Sequence, residues 1–275
     1  MKTLPDLDAR LRAAAAAIRT ADALVIGAGA GMGVDSGLPD FRGPEGFWKA
    51  YPPFRGQEFA DISTPHWFKT DPAMAWGFFG HRLNLYRAAI PHGGFDILRH
   101  WSARMRLGYF VYTSNVDGQF QKARFPQERV VERHGSIHYL QCVSSCSQRI
   151  WPATDICVDV DESVIRAQSQ LPRCMNCDAL ARPNILMFGD WGWISDRCRE
   201  QIEKYHTWIN EIRGAKVVAI EMGAGLAIPT VRNECETQGA VLIRINPRES
   251  DTPDGGIPLP MGALEALGKI DALLG

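Results

Sequence analysis

Gly27-Ala-Gly-Ala-Gly-Met-Gly33 is the stretch of sequence that decides the fold. It completes the short apolar run Ala23-Leu-Val-Ile-Gly27, which is typical of a buried strand that ends in glycines. Glycines at that place let a phosphate approach the backbone amides, and the start of a following helix adds a partial positive charge. A tight turn with no ligand gives the same pattern, so the loop alone is a weak sign of a nucleotide site.

Three more apolar runs follow along the chain, at residues 108–113, 216–221 and 240–246. Helical patterns lie between and around these runs, at residues 7–20, 195–212 and 262–274. Strands that are apolar on both faces and separated by helices predict an α/β fold with a doubly wound, Rossmann-like parallel sheet.

The continuation of the glycine loop narrows the class of nucleotide protein. It runs into Asp35-Ser-Gly-Leu-Pro-Asp-Phe-Arg-Gly43, which carries an arginine suited to phosphate and an aromatic suited to a ring. A dehydrogenase needs an acidic residue at the end of a second strand about 20 residues further on. That region reads Phe47-Trp-Lys-Ala-Tyr-Pro-Pro53, which is not a strand pattern. A Gly-Lys-Ser/Thr phosphate loop is absent from the sequence, which disfavours an ATPase.

Four of the seven cysteines fall in two close pairs, Cys142-x-x-x-Cys146 and Cys174-x-x-Cys177. In a reducing compartment such pairs argue for a metal rather than for disulfides, and four thiolates on two short loops suit tetrahedral zinc. The site would be closed, so Zn²⁺ would be structural and would tie down an insert with little core of its own. Free thiols or oxidised pairs are the alternative.

Two segments interrupt the alternation of strands and helices, and they set the expected domain organisation. One is rich in aromatics, proline and glycine, and the other carries the cysteine pairs. We predict a Rossmann-like NAD-binding domain built from residues 1–45, 88–138 and 182–275. A helical insert at 46–87 and a small zinc-binding insert at 139–181 would fold beside it.

The composition is that of an ordinary globular protein. The 275 residues are 45% hydrophobic and 22% charged, and the net charge is −1. This charge balance does not draw the chain to nucleic acid or to an anionic membrane, and no apolar run approaches the roughly 20 residues that span a bilayer. We therefore expect a cytoplasmic protein with no nucleic-acid partner and no membrane partner.

Four ordered motifs resemble those of the sirtuins, the NAD-dependent protein deacylases. Gly29-Ala-Gly31 with Ser36-Gly-Leu-Pro-Asp-Phe-Arg-Gly43 resembles the family signature, and Thr113-Ser-Asn-Val-Asp117 looks like its Thr-Gln-Asn-Ile-Asp. His134-Gly-Ser136 looks like its catalytic His-Gly. Gly223-Ala-Gly-Leu-Ala-Ile-Pro229, with Ile245-Asn246, looks like its second nucleotide-binding stretch. The resemblance covers about residues 23–246, and the order of four motifs is far more specific than one glycine cluster.

The resemblance implies a site, residue by residue. The catalytic residues would be His134, Asn115 and Asp117, with His134 as the base and Asp117 accepting from the nicotinamide carboxamide. The residues that bind NAD would be Gly29, Ala30, Gly31, Leu38, Phe41, Arg42, Ser114, Asn115, Val116, Asp117, Gly223, Ala224, Gly225 and Asn246, with Arg248 as an additional candidate. Ile185, Leu186, Met187 and Phe188 would pair with the backbone of an acyl-lysine peptide, as a strand added to an edge.

The chemistry of the family suits these residue types. The acyl oxygen attacks the ribose carbon as nicotinamide leaves, and a base then takes a proton from a ribose hydroxyl. Histidine suits that step because its unperturbed pKa is near 6.5. A hydrogen-bonded histidine at a strand end is the structural alternative for His134. His138, four residues on, matches no motif and is interpreted as structural.

Several positions depart from the family pattern. Gly33 and Gly225 stand where serine is frequent, and Ser114 stands where glutamine is usual. Each change removes hydrogen-bonding capacity near NAD, and one such bond is worth about 0.5–1.5 kcal/mol, so weaker NAD binding is expected rather than its loss. The first cysteine gap is also one residue longer than the two residues usual in the family.

One departure bears on the substrate. Sirtuins that remove acidic acyl groups carry Tyr-x-x-Arg in the helical insert, where this chain has Phe79-x-x-Arg82. The guanidinium of Arg82 could pair with an acyl carboxylate. Alternatively, Arg82 is a solvated helix arginine.

The sequence therefore favours an enzyme that acts on acylated lysine side chains of proteins and consumes NAD. Mono-ADP-ribosyl transfer or NAD hydrolysis on the same scaffold is the alternative, because the changes at Gly33 and Ser114 leave room for it. A non-enzymatic NAD-sensing module would tolerate loss of His134. A dehydrogenase fits least, because no second acid-bearing strand follows the loop.

Overall fold

The computed structural model describes residues 6–40, 43–238 and 241–275, and only the backbone of 43–45. Its helices are α1 (Leu7–Thr20), α2 (Gly43–Ala50), α3 (Phe59–Ile62), α4 (Trp67–Thr70), α5 (Pro72–Ala88), α6 (Gly93–Arg104), α7 (Gln119–Lys122), α8 (Asp196–Glu211), α9 (Thr230–Gln238) and α10 (Ala263–Leu274). Its strands are β1 (Ala23–Ala28), β2 (Tyr109–Thr113), β3 (Val130–Glu132), β4 (Gly135–Cys142), β5 (Ile150–Pro152), β6 (Val160–Asp161), β7 (Arg166–Ala167), β8 (Ala181–Ile185), β9 (Val217–Met222), β10 (Val241–Ile245) and β11 (Ile257–Leu259). Short 3-10 helices occupy Ala30–Ser36, Pro52–Phe54 and Gln127–Arg129.

Within the described residues, six parallel strands form the main sheet, in the order β11-β10-β9-β1-β2-β3. The order of the strands reverses at β1, so that the crevice outside the carboxyl ends of β1 and β9 is the topological switch point. Ligands bind at such points in open α/β sheets. The predicted α/β class and Rossmann-like sheet are confirmed.

Helices cover both faces of this sheet because its strands are apolar on both faces. Leu24 and Ile26 of β1 pack into one core with residues of α1, α6 and α10, while Ala23 and Val25 pack into another with residues of α8 and α9. The alternation follows from the two-residue period of a strand. None of the helices in the described part of the chain is long and apolar enough to span a membrane.

The helical insert and the cysteine-bearing insert share one hydrophobic core. Side chains of α5, such as Trp76 and Phe78, pack with residues of β4, β5 and β8. The indole of Trp76 donates to the carbonyl oxygen of Ala181 at 2.9 Å. Gly77 lets the helix touch the second insert, because a Cβ on Gly77 would lie 2.1 Å from the carbonyl oxygen of Ile165. The two inserts thus stabilise each other, and the domain boundaries given above stay a prediction.

Candidate active site

The glycine loop after β1 interlocks with the loop after β9. A Cβ on Gly31 would lie 2.7 Å from the Cα of Gly223, and one on Gly29 would lie 2.7 Å from its carbonyl oxygen. The N–H of Gly31 donates to that oxygen at 3.1 Å. Gly223 itself has a φ of +60°, in the left-handed region that favours glycine. Bare backbone therefore meets at the switch point, where side chains would keep the two loops apart.

A cavity of about 380 Å³ adjoins these loops, at the carboxyl ends of β1, β9 and β10. Its walls include Gly31, Gly223 and Asn246, three of the residues predicted to bind NAD. The amide nitrogen of Asn246 donates to the carbonyl oxygen of Ala224 at 2.9 Å, and its oxygen accepts the N–H of Arg248 at 3.0 Å. Asn246 thus fixes the shape of the loop that contains Ala224 and Gly225.

An ion pair stands at this cavity. The guanidinium of Arg248 lies 2.5 Å from a carboxylate oxygen of Asp40, and both residues line the cavity. Phe41 and Arg42, which the resemblance assigns to NAD, lie outside the described residues. Of the described residues that line the cavity, Arg248 supplies the positive charge, and its side chain is 60% exposed.

The segment after β2 is tied to the glycine loop. The hydroxyl of Thr113 donates to the carbonyl oxygen of Ala28 at 2.8 Å and accepts the N–H of Asn115 at 3.0 Å. The N–H of Ser114 donates to the same oxygen of Ala28 at 3.1 Å. Sequence reasoning assigned no role to Thr113, although a buried hydroxyl at the end of an apolar strand is the signal that could have identified it.

Three of the residues predicted to bind NAD lie in buried positions. Leu38 and Val116 belong to the core that the two inserts share. Burial raises the pKa of Asp117 to about 6, and the nearby carboxylate of Glu132 adds to the rise. A Cβ on Gly33 would lie 3.2 Å from Leu38 Cδ1, so a side chain there would require Leu38 to shift by a few tenths of an ångström.

His134 lies in the turn between β3 and β4, at the meeting point of the loops. Its Nε2 is 3.4 Å from the hydroxyl of Thr230, the first residue of α9, and its carbonyl oxygen accepts the N–H of Leu186 at 2.9 Å. Burial lowers the pKa of His134 to about 4, and the positive charge of Arg133 adds to the effect. The imidazole is therefore neutral at pH 7, which is the form that accepts a proton.

His138 makes one contact that bears on the site. Its Nε2 lies 2.9 Å from the carbonyl oxygen of Asp117. Gly118, next along the chain, has a φ of +70° and accommodates the ring, since a Cβ there would lie 2.7 Å from His138 Cδ2. These contacts support the structural interpretation of His138.

The segment predicted to pair with a peptide continues β8 toward His134. Ile185 and Met187 are buried, whereas Phe188 is 41% exposed. The N–H of Leu186 donates to His134 and that of Phe188 to the carbonyl oxygen of Ser63 at 2.9 Å. The N–H groups of Leu186 and Phe188 are thus used within the chain, and a peptide strand added here would have to bond to other backbone groups of the segment.

Arg82 is buried, with only 4% of its surface exposed, so the interpretation as a solvated helix arginine is wrong. Its Nε and Nη2 donate to the hydroxyl of Tyr86 at 3.1 and 2.9 Å. Its guanidinium carbon lies 5.3 Å from the ring centre of Phe78 and 5.7 Å from that of Phe79. The positive charge of Arg82 also acts to lower the pKa of Asp117, which places the guanidinium within electrostatic reach of the predicted catalytic site.

The four paired cysteines converge on one point. Their Sγ atoms all lie within 4.8 Å of one another, with 3.7 Å between Cys142 and Cys177 and 3.6 Å between Cys146 and Cys174. Thiolates about 2.3 Å from a tetrahedral zinc are about 3.8 Å apart, whereas a disulfide needs about 2.05 Å. The donor set therefore fits Zn²⁺, and the longer first gap is accommodated by Ser145, whose φ is +49°.

Comparisons with known proteins agree with this geometry. Residues 29–217 match the model of the Sir2 family. An NAD-dependent protein deacylase of Leptospira interrogans is 30% identical over 224 residues, which cover 81% of this chain and 80% of that protein. An NAD-dependent protein deacylase of Pyrococcus furiosus is 34% identical over 162 residues, 59% of each chain. The crystal structure of a Sir2 homologue in complex with NAD has a TM-score of 0.71 at 20% identity, covering 95% of this chain and 93% of that one.

Proposed function

This chain belongs to the Sir2 family, and from that premise we propose that it is an NAD-dependent protein-lysine deacylase. It would cleave NAD, release nicotinamide and transfer the acyl group of an acylated lysine to ADP-ribose. The observation that carries the proposal is the position of His134, which lies between the Thr230 hydroxyl and the 185–188 segment. Asn115, at the end of β2, binds the glycine loop. A base, a dinucleotide crevice and a peptide segment thus meet at one end of the sheet.

The crevice fits NAD by its shape. Gly29, Gly31 and Gly223 leave no room for side chains where the two loops meet, and their N–H groups donate to backbone carbonyl oxygens at 2.9, 3.1 and 3.0 Å, so these glycines fix the shape of the crevice. The loop held by Asn246 would receive the adenosine half. When bound, NAD supplies the glycosidic bond that breaks during the reaction.

The residues of this chain would divide the chemistry between them. Asp117, held by the N–H of Gln119 at 2.9 Å, would accept a hydrogen bond from the nicotinamide carboxamide and so orient the ring. Neutral His134 would take a proton from a ribose hydroxyl, with the Thr230 hydroxyl near its Nε2 to orient the imidazole. Leu38 and Val116 would keep water away from the reacting carbon.

Zinc would act only as a structural element. Cys142, Cys146, Cys174 and Cys177 would hold it, and with four protein ligands it would have no open position for catalysis. Thiolate ligands need reducing conditions, which supports a cytoplasmic location.

Product analysis by mass spectrometry tests the proposal. Purified protein is incubated with NAD and a panel of acetyl-, succinyl- and longer acyl-lysine peptides, wild type beside His134→Ala. His100→Ala serves as the control, because His100 is an exposed histidine on α6. We expect acylated ADP-ribose and free lysine peptide from the wild type and the control. His134→Ala should form these products at a rate lower by about 10²-fold or more.

The same assay separates the alternative. ADP-ribosyl transfer or NAD hydrolysis would release nicotinamide at full rate without any acyl peptide. Turnover that depends strictly on the acyl peptide would rule that alternative out, and absence of acyl release from every peptide would refute deacylation.

A further inference from the structure

The turn that follows the 185–188 segment is fixed from the inside. Asp190 has a side chain that is 1% exposed, and its two oxygens accept from Arg182 Nη1 and Nη2 at 2.6 and 2.9 Å. The same carboxylate accepts the N–H of Gly192 at 3.1 Å. The two charges of this bidentate ion pair neutralise each other, so the turn is anchored and carries no net charge at this point.

A second set of hydrogen bonds fixes the far end of the turn. The amide nitrogen of Gln141 donates to the carbonyl oxygen of Gly192 at 2.7 Å, and its oxygen accepts the N–H of Ile194 at 3.1 Å. Asn184 donates to the carbonyl oxygen of Ile194 at 2.9 Å. The turn is therefore held on β4 and β8 on both sides of residue 191.

Between these two anchors, Trp191 is fully exposed, with a relative accessibility of 100%. Phe188, three residues earlier, is 41% exposed and meets the ring of Phe59 edge-on at 6.1 Å. On the other side of His134, the loop that leads to Thr230 exposes Leu226 and Ile228. Aromatic side chains exposed on a well-anchored backbone turn are typical of binding surfaces, because they have few rotatable bonds and add contact area at a low cost in conformational entropy.

We propose that Trp191 selects the peptide sequence next to the acyl-lysine, by packing against an apolar side chain adjacent to it. The inference rests on the proposed deacylase function, since it takes the peptide to lie along residues 185–188. A peptide on that segment continues past the turn, where the indole is the exposed group. An apolar partner fits best, because the charge of Asp190 is already neutralised by Arg182.

Peptide binding and turnover test this inference separately. The probes are fluorescein-labelled acetyl-lysine peptides with leucine on the N-terminal side, leucine on the C-terminal side, or glycine on both sides. Their Kd values are measured by fluorescence anisotropy and their kcat and KM values by nicotinamide release, for wild type, Trp191→Ala and Trp191→Phe. Leu273→Ala is the control, because Leu273 is an exposed apolar residue on α10, away from the turn.

For one of the two leucine peptides we expect Trp191→Ala to raise Kd and KM about tenfold with kcat unchanged, and Trp191→Phe to restore most of the affinity. The peptide with glycine on both sides should bind the wild type and Trp191→Ala with the same Kd. Equal effects on all three peptides, or none on any, would overturn the inference while deacylation by the wild type stood. If the wild type releases no acyl group, the proposed function fails, whereas the anisotropy data still decide whether Trp191 binds leucine-bearing peptides.

Discussion

The side chain of Asn115 donates from Nδ2 to the carbonyl oxygen of Gly29 at 3.0 Å, joining the end of β2 to the glycine loop after β1. This bond holds the loop in the shape that interlocks with Gly223. It links a residue predicted to be catalytic with one predicted to bind NAD. The residues predicted to hold the nicotinamide and those predicted to hold the phosphates of NAD are thus joined by a direct hydrogen bond.

The first prediction concerns that bond. Asn115→Ala should raise the Kd for NAD by up to about tenfold, because one such bond is worth about 0.5–1.5 kcal/mol net. Isothermal titration calorimetry measures the affinity. Asn210→Ala, at an exposed asparagine of α8, is the control and should bind NAD as the wild type does. An unchanged Kd in Asn115→Ala would mean that the loop keeps its shape without the bond.

The second prediction concerns the contact between Gly31 and Gly223. In Gly223→Ala the new Cβ would lie 2.4 Å from the Cα of Gly31, at a φ of +60°. Gly214→Ala is the matched control, because Gly214 has a φ of +85° with no atom within 4 Å of its Cβ. Gly214→Ala should lose about 1–2 kcal/mol of stability from backbone strain, measured by chemical unfolding, and Gly223→Ala should lose more because its Cβ also clashes with the backbone of Gly31. Only Gly223→Ala should lose NAD affinity, by about tenfold or more, and equal affinities would contradict the interlock.

Local sequence patterns were enough to predict the centre of the sheet. The strands now called β1, β2, β9 and β10 were each predicted within one residue, because apolar runs between glycines and helices are unambiguous when both faces are buried. The edge strands β3 and β11 were missed. Each has three residues, and each is defined by pairing with a neighbour rather than by a run of its own.

The site could be predicted in part for the same reason. Motifs that are continuous in sequence, such as the residues around His134, were found. The ion pair of Asp40 with Arg248 joins residues 208 positions apart, and no local pattern signals it. The burial of Arg82 depends on a core made by two inserts, so its helical position alone suggested a solvated side chain. Arg182 and Asp190, opposite charges eight residues apart in an apolar stretch, were a signal that sequence reasoning left unused.

The third prediction concerns the metal. The purified protein should contain one zinc ion per chain, measured by inductively coupled plasma mass spectrometry, and Cys177→Ser should lose this zinc. Cys157→Ser is the control, because Cys157 is also exposed but lies outside the cluster. Loss of zinc should lower Tm by at least about 5 °C, since the cysteine-bearing insert shares its core with α5. Equal zinc content and Tm in both variants would contradict a zinc site.

The fourth prediction is the pH dependence of kcat/KM. Asp117, with a pKa of about 6, is ionised above that pH, and His134, with a pKa of about 4, is neutral above its own. Both reactive forms coexist above about pH 6, so kcat/KM should fall tenfold per pH unit as the pH drops below 6. The fall should steepen below about pH 4. Asp117→Asn should have low activity without the step near pH 6, whereas a wild-type rate that stays flat down to pH 5 would show that the charge of Asp117 is not needed.

The last prediction uses Arg82 to connect that pH profile with the acyl group. The charge of Arg82 acts against the rise in the pKa of Asp117. Arg82→Met, which keeps an apolar stem in the aromatic surroundings, should therefore move the fall in kcat/KM to a pH above 6. Arg82→Lys keeps the charge and should leave it near 6.

Acyl preference gives a second, independent measurement on the same variants. If the guanidinium binds an acyl carboxylate, the ratio of kcat/KM for succinyl-lysine to that for acetyl-lysine should fall about tenfold or more in Arg82→Met, since a charge-assisted hydrogen bond is worth about 1.5–3 kcal/mol. A smaller fall is expected in Arg82→Lys, which keeps the charge without the fork that pairs with both carboxylate oxygens. A shifted pH profile with an unchanged ratio would confine Arg82 to tuning Asp117. An unchanged profile with a lowered ratio would confine it to binding the acyl group.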